Sequence, residues 1–304
     1  MADESNYIPE VPRKIVRHTI RGVDYLVSEW GNRDAPLILY LHGWGDTGST
    51  FQFVVDEMKR DWFIVAPDWR GFGGSTCNVS AYWFPDYLAD LDQLLALYSP
   101  SQAVRLVGHS MGANVAGLYA GVMPDRVRAF VNIEGFGLAD AEPNDAPERF
   151  RNWIEQARAP SAFSRYPDYK ALAKRIARRA PGMTSKQADF VAREWGEAAQ
   201  DGIRLRADAL HRLPNAVLYR RAEAEACWRC ATADVLLVAG GDSDFARATD
   251  PGPARGGVQL PFPNSRPLVI DNAGHMLHFE APRELARAIE DFFAPDLVNP
   301  SSTV

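Results

Sequence analysis

The sequence predicts an α/β fold in which a mostly parallel, doubly wound sheet carries a helical insertion. Three observations support this. Short apolar runs alternate with helical segments up to about residue 137, the alternation stops for some ninety residues, and it returns near Val235. With 46% hydrophobic and 24% charged residues among 304, the chain has the composition of a globular protein. Its net charge of −6 disfavours a nucleic-acid-binding function.

The first half of the chain contains one hairpin and then strands alternating with helices. Lys14 to Trp30 alternates apolar and polar residues around Arg21-Gly22, which is typical of an antiparallel hairpin. The apolar runs that follow have the length of buried parallel strands, and the segments between them have helical periodicity. The predicted strands are Leu37–Leu41, Phe63–Ala66, Val104–Val107 and Val127–Ile133. The predicted helices are Phe51–Met58, Tyr87–Leu97 and Met111–Val122.

Residues 138–230 are expected to form a helical cap inserted into a core built from residues 1–137 and 231–304. Within the insertion, Thr184 and Gln187 have the spacing of a capping box that opens a helix. The core elements expected after it are the strands Val235–Ala239 and Pro267–Ile270 and the helix Pro282–Phe293. A long link from Ala246 to Arg266, rich in Gly and Pro, is expected to be a functional or mobile loop.

The termini and the cysteines favour a cytoplasmic protein. Residues 1–12 lack the basic and apolar regions of a signal peptide, and no run has the length of a membrane span. Three cysteines, Cys77, Cys227 and Cys230, do not fit a secreted disulfide framework. The CxxC spacing of the last two lacks the further ligands of a structural zinc site, so we expect this pair to pack between cap and core.

The strongest chemical signal is Gly108-His109-Ser110-Met111-Gly112, which lies between a predicted strand and a predicted helix. A serine on such a tight turn has a strained backbone and an exposed hydroxyl, and small neighbours leave room for strand and helix to approach. The helix N-terminus directs backbone N–H groups at negative charge that develops beside the serine. We therefore expect Ser110 to be a nucleophile.

A second loop, His42-Gly43-Trp44-Gly45, directly follows the strand Leu37–Leu41. In a doubly wound sheet this loop lies beside the nucleophile turn, where its backbone N–H groups can form half of an oxyanion hole. The expected donors are the backbone N–H groups of Trp44 and of Met111. His42 is expected to have a structural role in the loop.

The expected general base is His275, in Asn272-Ala273-Gly274-His275 beyond the last predicted strand. An imidazole titrates near working pH and can take a proton from Ser110 and return it to a leaving group. His278 lies three residues later, but His275 has the preceding glycine and is nearer to the strand end.

The acid that would orient this histidine has three candidates. Asp242 and Asp244 follow the strand Val235–Ala239, and Glu134 follows the strand Val127–Ile133. A carboxylate at either strand end can accept a hydrogen bond from the second imidazole nitrogen and stabilise the imidazolium. The residues alone leave this choice open.

The chain order of serine, acid and histidine resembles that of α/β-hydrolase-fold serine hydrolases. The similarity covers residues 14–137 and 233–293, and it includes the stretches Asp68-Trp69-Arg70-Gly71-Phe72-Gly73-Gly74-Ser75 and Leu237-Val238-Ala239-Gly240-Gly241-Asp242-Ser243-Asp244. The second stretch resembles the Gly-x-x-Asp acid turn of the family. The resemblance therefore implies a triad of Ser110, Asp244 and His275, and it implies neither a metal nor an organic cofactor.

The resemblance implies hydrolysis of carboxylic esters of small to medium, partly apolar substrates through an acyl-enzyme. Dehalogenases and epoxide hydrolases of this fold carry aspartate at the turn where this chain has Ser110, whereas esterases and cofactor-free perhydrolases carry serine there, which Ser110 resembles. Carbon–carbon bond or amide hydrolysis on the same triad is the main alternative. A non-catalytic ligand receptor has no need of all three groups.

Overall fold

A computed structural model of the chain describes residues 6–76, 79–244 and 260–294. Within these ranges, eight of the ten strands form one sheet in the order β1-β2-β4-β3-β5-β6-β9-β10. The strands are β1 Lys14–Ile20, β2 Val23–Trp30, β3 Leu37–Leu41, β4 Phe63–Pro67, β5 Val104–His109, β6 Val127–Ile133, β7 Gly196–Ala199, β8 Gly202–Leu205, β9 Asp234–Gly240 and β10 Ser265–Ile270.

The sheet is mostly parallel, as predicted. The strands from β4 to β10 in the sheet order run parallel, and the hairpin β1–β2 adds an antiparallel edge. The hairpin turns at Arg21 and Gly22, both with positive φ, 48° and 78°. This is the backbone of a type I′ connection, which matches the twist of the paired strands.

Helices cover both faces of the sheet, so the predicted doubly wound fold is confirmed. One face packs against α2 and α3 through buried residues such as Leu91 and Val115. The other packs against α1 and the last helix, α9, through residues such as Val54 and Ile289. The helices are α1 Gln52–Glu57, α2 Phe84–Tyr98, α3 Met111–Val122, α4 Ala146–Arg158, α5 Tyr169–Arg179, α6 Ser185–Trp195, α7 Arg221–Arg229, α8 Leu277–Glu280 and α9 Pro282–Phe293.

The segment between β6 and β9 contains α4 to α7, together with the small antiparallel hairpin β7–β8 that the sequence analysis missed. Helix α6 begins with the predicted capping box of Thr184 and Gln187. Helices α5 and α6 enclose a satellite core that also contains Phe53 and Phe279 of the main fold. The insertion therefore packs on the sheet domain through its central part.

Helix α7 returns the chain to the sheet; it contains the half-buried Cys227, and the exposed Cys230 directly follows its last residue. A methyl group on Gly121 of α3 would lie only 1.8 Å from the Cys227 carbonyl oxygen. The backbones of the two helices are therefore in direct contact at this point, which accords with the predicted packing junction.

In the part of the chain that the structure describes, no helix has the length and apolarity needed to cross a membrane. Most of the predicted Ala246–Arg266 loop, the C-terminal tail and Cys77 lie outside the described residues.

Candidate active site

Ser110 forms the sharp turn between β5 and α3 that the sequence predicted. Its backbone has φ 50° and ψ −113°, a conformation that costs on the order of 1–3 kcal/mol for a residue other than glycine. The Ser110 N–H donates to the Ile133 carbonyl at 2.8 Å, which fixes the turn against β6. A Cβ on Gly112 would lie 2.1 Å from the Leu41 carbonyl oxygen, so only glycine allows α3 to begin this close to β3.

The loop after β3 lies directly beside this turn. A Cβ on Gly43 would come within 3.2 Å of the Ser110 Cβ and 2.8 Å of the His109 Nδ1. In the described part of the chain the next backbone N–H, that of Trp44, donates to no protein acceptor. The Met111 N–H belongs to the first helical residue, which has no intrahelical acceptor. The loop and the helix start thus bring two N–H groups of the predicted kind to the edge of the sheet.

His42 holds this loop in place. Its Nε2 accepts a 2.7 Å hydrogen bond from the Trp69 N–H, and its Nδ1–H donates to the Gly43 carbonyl, also at 2.7 Å. Burial lowers the pKa of His42 to about 4, so the ring is neutral at neutral pH. The expected structural role of His42 agrees with these contacts.

His275 lies between β10 and α8, and its Nδ1 is 3.0 Å from the Glu134 Oε2. A carboxylate only accepts, so the Nδ1 carries a hydrogen, and in the tautomer with a single hydrogen the lone pair is on the Nε2. The imidazole is about one-third exposed, whereas the Glu134 side chain is fully buried. This arrangement leaves the Nε2 able to accept a proton.

The carboxylate that the structure places beside His275 is that of Glu134, one of the three candidates, whereas the resemblance implies Asp244. Glu134 directly follows β6 and has a positive φ of 57°, which turns its side chain over the sheet edge. Its Oε1 accepts from the Gly240 N–H at 2.7 Å, and its Oε2 accepts from the Ser243 Oγ at 2.6 Å. Asp242 and Asp244 are exposed at the end of β9. The end of β9 and the turn after it thus supply hydrogen-bond donors to Glu134.

A second imidazole–carboxylate pair lies near the first, and no sequence motif predicted it. The His278 Nε2 is 3.0 Å from the Asp46 Oδ2, and both side chains are buried. Burial alone would raise the pKa of Asp46, but the hydrogen bond and charge of His278 outweigh it and the pKa falls below its ordinary value. Between the two pairs lies His109, whose ring centroid is 4.9 Å from that of His275 and 4.5 Å from that of His278.

Aromatic side chains from the core and the insertion meet next to the Trp44 loop. The half-exposed Trp44 ring contacts Phe72 of the core and Phe163 of the insertion, with centroids 6.3 Å and 5.8 Å apart. The His211 ring stacks between Phe72 and Tyr82 at 3.8 Å and 3.5 Å. The surface beside the predicted oxyanion donors is thus mainly apolar and comes from both parts of the chain.

The chain is similar to several known hydrolases over most of its length. A serine hydrolase-like protein of Danio rerio is 25% identical over 88% of this chain and 84% of its own length. A 2-(acetamidomethylene)succinate hydrolase of Mesorhizobium japonicum is 26% identical over 84% of this chain and 87% of its own.

The fold is also found in solved structures. A thioesterase domain from the curacin biosynthetic pathway superposes with a TM-score of 0.78 at 22% identity, covering 92% of this chain and 99% of that domain. The family model described as alpha/beta hydrolase fold matches residues 36–282. Together with the hydrolase relatives, this match shows that the chain is a serine hydrolase and belongs to the α/β hydrolase fold family.

Proposed function

We propose that the protein hydrolyses carboxylic esters of small to medium, partly apolar substrates with a triad of Ser110, His275 and Glu134. The observation that carries this proposal is the hydrogen bond between the His275 Nδ1 and the buried Glu134 carboxylate, beside a serine on a strained strand-to-helix turn. A ligand-binding protein without catalysis would not need all three groups at one sheet edge.

In the first half of the reaction the Ser110 Oγ attacks the ester carbonyl carbon while its proton passes to the His275 Nε2. The negative charge of Glu134 stabilises the imidazolium and holds its orientation. The carbonyl oxygen becomes an oxyanion, which accepts hydrogen bonds from the backbone N–H groups of Trp44 and Met111. The C–O bond then breaks, the leaving alkoxide takes the proton from His275, and the acyl group remains on Ser110.

In the second half, water replaces the alcohol. His275 takes a proton from the water as its oxygen attacks the acyl carbon, and the oxyanion forms again at the same two N–H groups. Collapse breaks the bond to the Ser110 Oγ, which recovers the proton from His275. The products are a carboxylic acid and an alcohol, and the enzyme returns to its starting state.

The aromatic contacts support a partly apolar acyl or alcohol group. We propose that the insertion, residues 138–230, acts as a cap, because Phe163 lies against Trp44, whose N–H is one of the oxyanion donors. The Arg212 guanidinium lies over the Phe163 ring, 5.7 Å from its centroid, and this cation–π contact helps to hold the ring. A substrate beside Ser110 would thus be in contact with both the core and the cap.

Amide hydrolysis is the second candidate. The relative named for a substrate that bears an acetamido group matches 84% of this chain. The same triad can protonate an amine leaving group as well as an alcohol.

The test is hydrolysis of nitrophenyl acyl esters from acetyl to long chains, with wild type and Ser110→Ala measured side by side. We expect turnover in the wild type and its loss by at least about 10³-fold in the variant. The chain-length optimum measures the size of the acyl site. Equal, negligible rates in both proteins on esters, with Ser110-dependent turnover of an acetamide series, would favour the amide alternative.

A further inference from the structure

Three buried side chains of types that can bind a metal ion meet near the turn that carries Ser110. Asp46, His109 and His278 each place one ligand atom within 4.8 Å of the others, and all three residues are at least 98% buried. Among the residues that the structure describes, the Nδ1 of His109 is buried and has no hydrogen-bond partner. An unpaired buried polar atom costs about 1–3 kcal/mol, so this cluster requires an explanation beyond packing.

The tautomer of His109 is fixed by its neighbour. The His109 Nε2 lies 2.8 Å from the His275 carbonyl oxygen, which only accepts, so the Nε2 carries the hydrogen. The Nδ1 therefore has a lone pair, and this atom lies so close to Gly43 that a Cβ there would be 2.8 Å from it. Metal-binding histidines commonly donate their other N–H to a carbonyl or carboxylate, and His109 has this arrangement before any ion binds.

Hydrogen bonds from neighbouring groups also fix the carboxylate of Asp46. Its Oδ1 accepts hydrogen bonds from the Thr47 N–H, the Thr50 hydroxyl and the Trp195 indole, each at 2.8 Å. These contacts fix the carboxylate and leave the Oδ2 facing the His278 Nε2 at 3.0 Å. The oxygen and nitrogen thus lie side by side as two ligands of one ion would.

We propose that Asp46, His109 and His278 form a binding site for a divalent transition-metal ion of the zinc type. Two imidazoles and one carboxylate suit Zn²⁺, whose bonds to nitrogen and to carboxylate oxygen are about 2.0–2.2 Å long. The ion replaces the hydrogen between the Asp46 Oδ2 and the His278 Nε2, and the neutral His278 ring then carries its single hydrogen on Nδ1. Ligand atoms up to 4.8 Å apart must close to about 3.4 Å around a tetrahedral ion.

Occupancy of this site opposes catalysis. His109 precedes Ser110 in the chain, and its Nε2–H holds the backbone carbonyl of His275. A movement of the His109 ring toward an ion shifts Ser110 and His275 relative to each other. A displacement of about 1 Å can cost on the order of 10²-fold in rate. The site is therefore inhibitory, and this half of the inference rests on the proposed function, whereas binding itself does not.

The experiment measures Zn²⁺ binding by equilibrium dialysis and Co²⁺ binding by its visible absorption. It uses a background in which Cys77, Cys227 and Cys230 are replaced by serine, because the CxxC pair itself can hold zinc. The variants are His278→Gln and Asp46→Asn, and His18→Gln is the matched control because His18 pairs with Tyr98 far from the elbow. Circular dichroism verifies that each variant folds.

We expect one ion per chain in the background protein and in His18→Gln, and at least a tenfold weaker affinity in the other two variants. Zn²⁺ should lower ester turnover at least tenfold in the background protein but not in His278→Gln. Equal binding by His278→Gln, Asp46→Asn and His18→Gln would overturn the site. Equal inhibition of His278→Gln and His18→Gln would overturn the inhibitory role and place the inhibiting ion at His275. Loss of turnover in Ser110→Ala is measured separately, so a failure of the proposed function is recognised independently.

Discussion

The carboxyl edge of the sheet and the insertion differ in how firmly their side chains are held. At the sheet edge Glu134 and His278 are completely buried and their neighbours fix them by hydrogen bonds. In the insertion, α4 buries none of its residues, and Phe150 and Ile154 are about half exposed. This difference matches the two tasks of such an enzyme, catalysis and substrate binding. Reacting groups need fixed positions, whereas groups that contact the substrate tolerate adjustment. Changes at the sheet edge should therefore affect kcat, and changes in the insertion should affect substrate preference.

The largest expected effect is at the acid. Glu134→Gln keeps the size of the side chain but removes the charge that stabilises the His275 imidazolium, and we expect kcat on an ester to fall on the order of 10³–10⁴-fold. Asp244→Asn is the matched control, since this exposed carboxylate is the one that the family pattern indicates, and its kcat should stay within about twofold. The reverse order of the two effects would restore Asp244 as the acid.

A steric change at the elbow comes next. Gly112→Ala places a methyl group against the Leu41 carbonyl oxygen, which cannot move without shifting β3. We expect kcat to fall on the order of 10²-fold and the unfolding free energy to fall by about 1–3 kcal/mol. In the control Gly117→Ala on the same helix, the new methyl meets only side chains at 3.1 Å or more, so activity should be retained. Steady-state kinetics and urea unfolding measure both quantities.

A smaller and different effect is expected in the insertion. Phe163→Leu removes the ring that contacts Trp44 and leaves a smaller side chain, so the acyl-chain length that is hydrolysed fastest should change. KM for the best ester should rise about tenfold or less, and kcat for the acetyl ester should be nearly unchanged. Phe150→Leu, on the exposed face of α4, should leave the chain-length profile as in the wild type. A fall in kcat for every ester in Phe163→Leu would contradict the separation of tasks.

The last expected effect is on stability and leaves catalysis aside, because it concerns the pH dependence of unfolding. Burial lowers the pKa of His211 to about 3, below its ordinary value of 6.5, although its hydrogen bond to the Arg70 carbonyl acts in the opposite direction. Below pH 6.5 the unfolded chain gains a proton that the folded chain does not. Stability is therefore lost as pH falls from 6.5 towards 3, by at most about 1.4 kcal/mol per pH unit for this residue.

His211→Phe keeps a ring between Phe72 and Tyr82 but removes this titration. Urea unfolding between pH 7 and pH 4.5 should show a shallower loss of stability in this variant than in the wild type. His42, with its pKa of about 4 in the folded chain, contributes with the same sign to both proteins and so does not affect the difference. Parallel stability curves would show that His211 is not a source of the acid sensitivity.

The sequence predicted those parts of the fold in which local pattern and burial coincide. The central strands are continuous apolar runs, and the elbow requires its glycines, so both were identified. The hairpin β7–β8 was missed because Gly196–Ala199 contains no β-branched residue, and pairing of Ile203 with Tyr166 stabilises it through tertiary contact.

The carboxylate that lies beside His275 could not be chosen from the sequence for a related reason. Glu134, Asp242 and Asp244 all follow buried strands, and the family pattern favoured Asp244. What distinguishes Glu134 is its left-handed backbone and the two donors that reach it from β9 and the following turn, and these depend on the register of β6 with β9. The whole insertion separates β6 from β9 in the chain, so no short turn fixes their register and it cannot be read from either strand alone.

The hydrogen bond from the Trp195 indole to Asp46 also limits how the insertion can move. This bond joins the end of α6 to a buried carboxylate of the core, so lifting α6 would strip a donor from that carboxylate at a cost of about 1–3 kcal/mol. Helix α4 has no such attachment through a buried side chain. We therefore expect the insertion to open by rotation about α6, which stays attached to the core. Helix α4 then moves furthest from the core, and substrate enters past it.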